Sequence, residues 1–126
     1  MDSGVLVVHP SVAAASVKEL IAVAIAQKLA YGSAGVESAT HLGTESLLQA
    51  AKMRILHVPY QSAGQATTAV LGGETQVLLT NMASVLPHFS GGRLRPIGGS
   101  SLKRSAAAPE IPTLSESGLP GFEYAT

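Results

Sequence analysis

Cysteine and tryptophan are absent from this chain of 126 residues, and aromatic residues make up only 4% of it. The lack of cysteine excludes disulfide bonds and thiolate catalysis, and it leaves the redox state of the compartment open. Charged residues are also scarce at 13%, and the formal net charge is +0. Because there is no basic field to attract a phosphate backbone, nucleic acid is not an expected partner.

Long hydrophobic runs are missing as well. The longest apolar stretch, within Leu20 to Ala26, is far too short to span a bilayer. The first residues, Met1 to Gly4, lead directly into a short apolar strand and lack the pattern of a signal peptide. Hydrophobic residues nevertheless make up 46% of the chain, which disfavours disorder. The length predicts a single domain, residues 1–126, with a core of Val, Leu, Ile and Ala.

Five short apolar segments predict β-strands. The first, Val5–Val8, is a continuous run rich in β-branched residues, which is typical of a buried parallel strand. The last, Leu94–Ile97, is a weaker candidate because it contains Pro96. The three strands between them are predicted at Leu29–Gly32, Ile55–Val58 and Gln76–Leu79.

Helical patterns separate these strands. Ser16 and Glu19 have the spacing of a capping box, which predicts a helix after Ser16. Its expected inward face consists of Val17, Leu20, Ile21, Ala24 and Ile25. Further helices are predicted from Ser38 to Lys52, from Ser62 to Leu71, and from Asn81 or Ser84 as a short segment; residues 105–126 predict an irregular tail that wraps the domain. The alternation predicts an α/β fold in which helices flank a mostly parallel sheet.

Three loops follow predicted strands and should meet at one rim of the sheet: Gly32–Gly35, Pro59–Gly64 and Thr80–Ser84. Ligands in open α/β sheets bind outside the carboxyl ends of the strands, so this rim is the candidate site. Within these loops, Asn81 is placed either to cap a helix or to contact a ligand. Tyr60 is placed either to line a cleft or to pack on a neighbour.

The turn Gly32-Ser-Ala-Gly35 consists of small residues that let the backbone approach a ligand closely. The helix that follows offers unpaired N–H groups and the positive end of its dipole, which favour a carboxylate. The turn lacks the Lys-Ser/Thr ending of a phosphate loop and the spacing of a dinucleotide fingerprint. The alternative is that its glycines serve only a tight connection between strand and helix.

Catalysis and metal binding find little support. Ser33 and His41 could pair as nucleophile and base, but Ser33 directly follows Gly32 and does not form a G-x-S-x-G elbow. We expect His41 to form its contacts within the domain. The other histidines, His9, His57 and His88, lie on separate elements without metal-ligand spacing. No catalytic residue, metal or cofactor is therefore expected.

Several motifs occur in an order that resembles a known family, the Bug (TctC-like) extracytoplasmic substrate-binding receptors of tripartite tricarboxylate transporters. They cover nearly the whole chain, and they are Val5-Leu-Val-Val-His-Pro-Ser11, Tyr31-Gly-Ser-Ala-Gly35, His57-Val-Pro-Tyr60, Leu71-Gly-Gly73, Asn81 with Leu86-Pro-His88, Gly92-Arg-Leu-Arg95, and Ile111-Pro-Thr113 with Gly118-Leu-Pro-Gly121.

The resemblance implies one lobe, the second, of a type II periplasmic-binding-protein-like fold that captures a small carboxylate between two lobes. It assigns ligand contact to the loop after the second strand. Together with the end of the fourth strand, the expected ligand-binding residues are Ser33, Ala34, Gly35, Val36, Glu37, Ser38 and Asn81. Glu37 departs from the family pattern, which has an Asn-Gly-Thr-like stretch after the glycine that matches Gly35. If its carboxylate points into the site, it would repel an anion or select a cationic group such as an amine. If it points to solvent, it would be harmless, or the helix dipole would favour it.

The resemblance also implies partners and a location. The expected partners are a small carboxylate or amino-acid ligand, the first lobe or a second copy of this chain, and the membrane subunits of a transporter. The periplasm is the expected compartment for the full receptor, and the cytoplasm if the chain is made as it stands. The alternative function is a self-associating interaction module that binds little or no solute, since an isolated lobe would expose apolar surface.

Overall fold

The computed structural model describes residues 4–35, 39–101, 104, 108, 110–117, 119 and 122, without the side chains of residues 39 and 40. The strands are β1 (Gly4–Val8), β2 (Ala30–Ser33), β3 (Leu56–Pro59), β4 (Val77–Asn81) and β5 (Arg95–Gly99). The helices are α1 (Val17–Ala26), α2 (Ala39–Ala51), α3 (Ala63–Leu71) and α4 (Met82–Val85), and a 3-10 turn follows at Leu86–His88. Among the described residues, no helix is both long and apolar enough to cross a membrane.

The five strands form one sheet in the order β3-β2-β4-β1-β5. Strand β2 runs parallel to β3 and β4, whereas β1 runs antiparallel to β4 and β5. The predicted α/β fold with a helix-flanked sheet is confirmed, but the sheet is mixed where a mostly parallel one was predicted. The parallel direction predicted for Val5–Val8 is wrong. Its unbroken apolar run indicates only that both faces of the strand are buried. Burial on both faces fixes the composition of a strand and leaves its direction open.

Helices cover both faces of the sheet. Helices α1 and α2 pack on one face, where the core includes Leu6 and Val8 of β1 together with Leu20 and Leu47. Helices α3 and α4 pack on the opposite face through a separate cluster of buried residues: Val5, Val7, Ala66, Val70, Leu78, Met82 and Val85. Because successive side chains of a strand point to opposite faces, strands β1 and β4 contribute residues to both clusters.

Helix α1 begins as its sequence predicts. The Ser16 hydroxyl accepts the N–H of Glu19 at 3.2 Å, and the Glu19 carboxylate accepts the N–H of Ala15 at 2.7 Å. The predicted inward face is wrong at its last position, because Ile25 is 82% exposed. The last turn of α1 borders an open groove at the amino ends of β2 and β3, which Leu42 and Leu56 also line.

The described parts of the tail lie against the core. Thr113 forms a parallel bridge to Gly99 of β5, and the N–H of Leu114 donates to the Gly99 carbonyl at 2.8 Å. The buried tail residues contribute to both core clusters: Ala108, Ile111, Leu114, Leu119 and Phe122.

Candidate functional site

The connections that leave two neighbouring strands of the sheet, β2 and β4, run to opposite faces. Strands β2 and β4 are neighbours and parallel, joined at Tyr31 and Val77 near their amino ends. The chain leaves the carboxyl end of β2 toward α2 on one face and leaves β4 toward α4 on the other. Such a switch point opens a crevice outside the strand ends, where open α/β sheets bind ligands. We call this place the β2–β4 crevice.

The turn at the end of β2 is packed too closely for larger residues. A Cβ atom at Gly32 would lie 3.2 Å from the Tyr60 ring and 3.3 Å from the Ala66 Cβ atom. Gly35 has a φ of +132°, a conformation that residues with a side chain rarely adopt. The N–H of Tyr60 donates to the Ser33 carbonyl at 3.0 Å, which joins the loops after β2 and β3. The structure therefore brings two of the three predicted rim loops into direct contact.

The hydroxyl group of Ser33 is used inside the protein. Ser33 is fully buried, and its Oγ atom lies 2.6 Å from Nε2 of His57. The same oxygen lies 3.1 Å from both the N–H and the carbonyl oxygen of Gly35. A ligand contact from this part of the loop would therefore come from the half-buried backbone of Ala34 and Gly35.

Beneath the turn lies a group of polar and aromatic side chains, the His57 cluster, made of Tyr31, Ser33, His41, Glu45 and His57. The Tyr31 hydroxyl donates to the Glu45 carboxylate at 2.5 Å. The His57 ring stacks on the His41 ring with centroids 3.9 Å apart, and on the Tyr31 ring at 5.0 Å. These contacts connect α2, β2 and β3 directly below the candidate loop.

Backbone geometry explains why these residues meet. Tyr31 and Ser33 are two residues apart on β2, so their side chains share the face that carries α2. The parallel register places Tyr31 beside His57 of β3. His41 and Glu45 are four residues apart on α2 and therefore lie on one side of the helix.

Burial and neighbouring charges shift two pKa values in the cluster. Burial lowers the pKa of His57, the nearby His41 ring lowers it further, and the Glu45 carboxylate opposes both effects. Burial raises the pKa of Tyr31, and its hydrogen bond to Glu45 adds to that effect. The folded protein thus favours a neutral His57 and a protonated Tyr31.

The histidines differ from the sequence prediction in one respect. His41 lies in the first turn of α2 and packs within the domain, as predicted. The hydroxyl of Ser33 pairs with His57, and not with His41, the histidine that the sequence offered as its partner. The parallel register of β2 and β3 is the signal that predicts this pairing. It can be used only when these two strands are known to be neighbours. Among the described residues, no group of three or more potential ligands could hold a metal ion.

Asn81 caps α4. Its Oδ1 atom accepts the backbone N–H of Ser84 at 3.1 Å and the Ser84 hydroxyl at 2.8 Å. The capping interpretation is confirmed, and Asn81 also lies half-buried at the end of β4 beside the crevice. Tyr60 packs against Gly32, as one of the two interpretations predicted. The remaining predicted site residues, Val36, Glu37 and Ser38, lie outside the described residues.

The chain is similar in sequence and in fold to several known proteins. Protein BugT of Bordetella pertussis is 34% identical over 120 residues, which cover 94% of this chain and 37% of BugT. The structure "R. palustris Rpa4515 with adipate" is 28% identical with a TM-score of 0.91, covering 97% of this chain and 42% of that one. The periplasmic binding protein BugD shares the fold, with a TM-score of 0.89 at 24% identity, and this chain covers 42% of it.

The chain spans about a third of the length of BugT and of two further curated relatives that it matches. The family model described as "Tripartite tricarboxylate transporter family receptor" matches residues 1–126. This chain therefore belongs to the family of tripartite tricarboxylate transporter receptors.

Proposed function

We propose that this chain is a solute-binding lobe that holds a small carboxylate at the β2–β4 crevice and performs no catalysis. The observation that carries the proposal is the turn Gly32–Gly35, which lies at the switch point of the sheet with its backbone against Tyr60. Membership of a receptor family supports it, as does the similar protein whose structure is described with adipate.

The chemistry of the crevice suits an anion bound by backbone groups. Helix α3 begins at Ala63, three residues after Tyr60. Ser62 caps this helix by accepting the N–H of Gln65 at 3.2 Å. The amino ends of α2 and α3 both approach the rim, and the positive ends of helix dipoles favour negative charge. We propose ligand contacts from Ser33, Ala34, Gly35, Val36, Glu37, Ser38 and Asn81, with Ser33 contributing through its backbone.

A catalytic role has poor support from the geometry. Ser33 and His57 are within hydrogen-bond distance, but Ser33 is fully buried and its hydroxyl is shared with Gly35. A nucleophile needs access to the reacting carbonyl of a substrate. The role of the Ser33–His57 pair is therefore to hold the structure of the loop.

The wider receptor is part of the proposal. A single lobe encloses only half of a cleft, so we expect weak binding by this chain alone, because ligand sites bury most of the ligand surface. We propose that a first lobe, or a second copy of the chain, completes the cleft, that the full receptor works in the periplasm, and that it delivers its ligand to membrane subunits of a transporter.

Thermal unfolding in the presence of adipate tests the proposal, with uncharged adipamide as the matched ligand. Binding stabilises the native state by mass action, so a weak ligand raises the Tm at millimolar concentration. We expect adipate alone to raise the Tm, and Gly35→Ala to reduce that rise, because Gly35 has a φ of +132°. Gly91→Ala is the control, since a Cβ atom there would lie 3.8 Å from Arg93 in ordinary contact.

Equal shifts with adipate and adipamide, or none with a panel of small carboxylates and amino acids, would contradict solute binding by this lobe. Sedimentation of the same samples addresses the alternative function. A dimer that forms with increasing protein concentration, in a chain whose Tm no ligand changes, would support an interaction module.

A further inference from the structure

His57 lies one layer below the candidate loop and reaches it through a buried hydroxyl group. Its Nε2 atom is 2.6 Å from Oγ of Ser33, and Ser33 is fully buried. The buried serine partly shields this hydrogen bond from water, which strengthens it relative to an exposed one.

The hydroxyl of Ser33 has a single proton to donate. Its oxygen accepts the N–H of Gly35 at 3.1 Å, while its proton points either to Nε2 of His57 or to the Gly35 carbonyl at 3.1 Å. The tautomer of His57 decides between these two directions. In both arrangements, the contact with His57 fixes the rotation of the hydroxyl that holds the backbone of Gly35.

The orientation of His57 is itself fixed by stacking. The His41 ring lies nearly parallel to it, with an angle of 5° between the planes, and the Tyr31 ring covers it at an angle of 22°. Tyr31 is in turn held by its hydrogen bond to Glu45. A rigid support of this kind is what holds a binding group in one geometry.

We propose that His57 is a positioning residue for ligand binding: it orients the Ser33 hydroxyl, which fixes the backbone of Gly35 at the β2–β4 crevice. The ligand-binding part of this inference rests on the proposed function, whereas the effect on the loop does not.

Four variants separate the hydrogen bond from the stacking. His57→Phe keeps an aromatic ring for the stack and loses the group that bonds Ser33. His57→Gln places an amide near the position of Nε2 and restores a partner for the hydroxyl, whereas the shorter amide of His57→Asn corresponds to the Nδ1 position. Ser33→Ala removes the same hydrogen bond by deleting the hydroxyl partner of His57. The test can therefore still be made if one His57 variant fails to fold.

The first readout is hydrogen exchange at the Gly35 amide of the free protein, measured by NMR. Loss of a hydrogen bond is worth about tenfold in such an equilibrium. We expect Gly35 to exchange about tenfold faster in His57→Phe, His57→Asn and Ser33→Ala, and to return toward the wild-type rate in His57→Gln. An unchanged rate at Gly35 in His57→Phe, or equal rates in the Gln and Asn variants, would overturn the proposal.

The second readout is the affinity for adipate in a double-mutant cycle. If His57 acts through Ser33, His57→Phe and Ser33→Ala each weaken binding about tenfold, and the double variant is no weaker than either single one. Fully additive effects would overturn the positioning role. If the wild-type chain binds no carboxylate while Gly35 exchange follows His57, the proposed function fails and the effect on the loop stands.

Discussion

The two faces of strand β2 are built in opposite ways. On the face that carries α3, Gly32 packs against the Tyr60 ring and Ala66, and the space admits no side chain without displacement of its neighbours. On the face that carries α2, Tyr31 and Ser33 form hydrogen bonds to Glu45 and His57. The candidate loop is thus held by close packing from one side and by polar contacts from the other.

Shape and hydrogen bonding can therefore be tested separately in the same strand. Substitutions on the α3 face should act through steric overlap, whereas those on the α2 face should act through lost hydrogen bonds and through protonation.

The largest effect is expected for Gly32→Val. Its Cβ atom would lie 3.2 Å from the Tyr60 ring, and the added methyl groups would enlarge the overlap. Overpacking of a filled core typically costs 1–3 kcal/mol, so we expect a loss of about 3 kcal/mol in the free energy of unfolding, measured by urea denaturation. Gly91→Val, where a Cβ atom would meet only the Arg93 side chain in ordinary contact at 3.8 Å, should have a free energy of unfolding within about 0.5 kcal/mol of the wild type. Equal losses in both variants would contradict the packing on this face.

Ser33→Ala should have the next largest effect. It removes the hydroxyl that bonds the Nε2 atom of His57 and the N–H of Gly35. The net cost of losing one hydrogen bond is about 0.5–1.5 kcal/mol, so we expect a loss of about 2 kcal/mol for the two. Ser46→Ala, on the exposed side of α2, is the control. A Ser33→Ala protein as stable as that control would show that the polar contacts do not hold the loop.

A matched pair of tyrosines compares the faces directly. Tyr31→Phe removes the hydroxyl that donates to Glu45 at 2.5 Å and should cost about 1 kcal/mol. Tyr60→Phe keeps the ring that packs on Gly32 and should change stability by less than about 0.5 kcal/mol. Chemical denaturation of both variants under the same conditions measures the difference. A larger loss of stability in Tyr60→Phe than in Tyr31→Phe would contradict the placement of the polar contacts on the α2 face.

The smallest expected effect is a pH dependence on the α2 face. Burial and the His41 ring lower the pKa of His57 in the folded protein, so the unfolded chain binds a proton more readily. The resulting stability is fully present above the unfolded pKa of about 6.5 and decreases as the pH falls below it. Urea midpoints between about pH 5 and 8 should therefore decline more steeply toward acid in wild type than in His57→Phe. Parallel profiles would exclude this role of His57.

Much of the fold was predictable because local signals decide it. Ser16 and Glu19 mark the start of α1, and Asn81 caps α4 as one interpretation proposed. The small turn after β2 and the order of strands and helices indicated the rim where the loops meet. These features depend on residues that are close in sequence.

The remaining features depend on contacts between distant residues. The direction of Val5–Val8 depends on its neighbours β4 and β5, and its composition reports only burial. Ile25 continues the apolar face of α1 but borders an open groove, because the helix extends past the closed core. The pairing of Ser33 with His57 follows from the register of β2 and β3, over 24 residues of sequence.

Amide chemical-shift mapping of the labelled chain with adipate measures whether a small carboxylate binds at the β2–β4 crevice. We predict saturable shifts at Ala34, Gly35, Tyr60 and Asn81 that adipamide does not produce. Shifts confined to the groove beside Ile25 and Leu56, or no saturable shift at the four crevice residues, would contradict binding at the crevice.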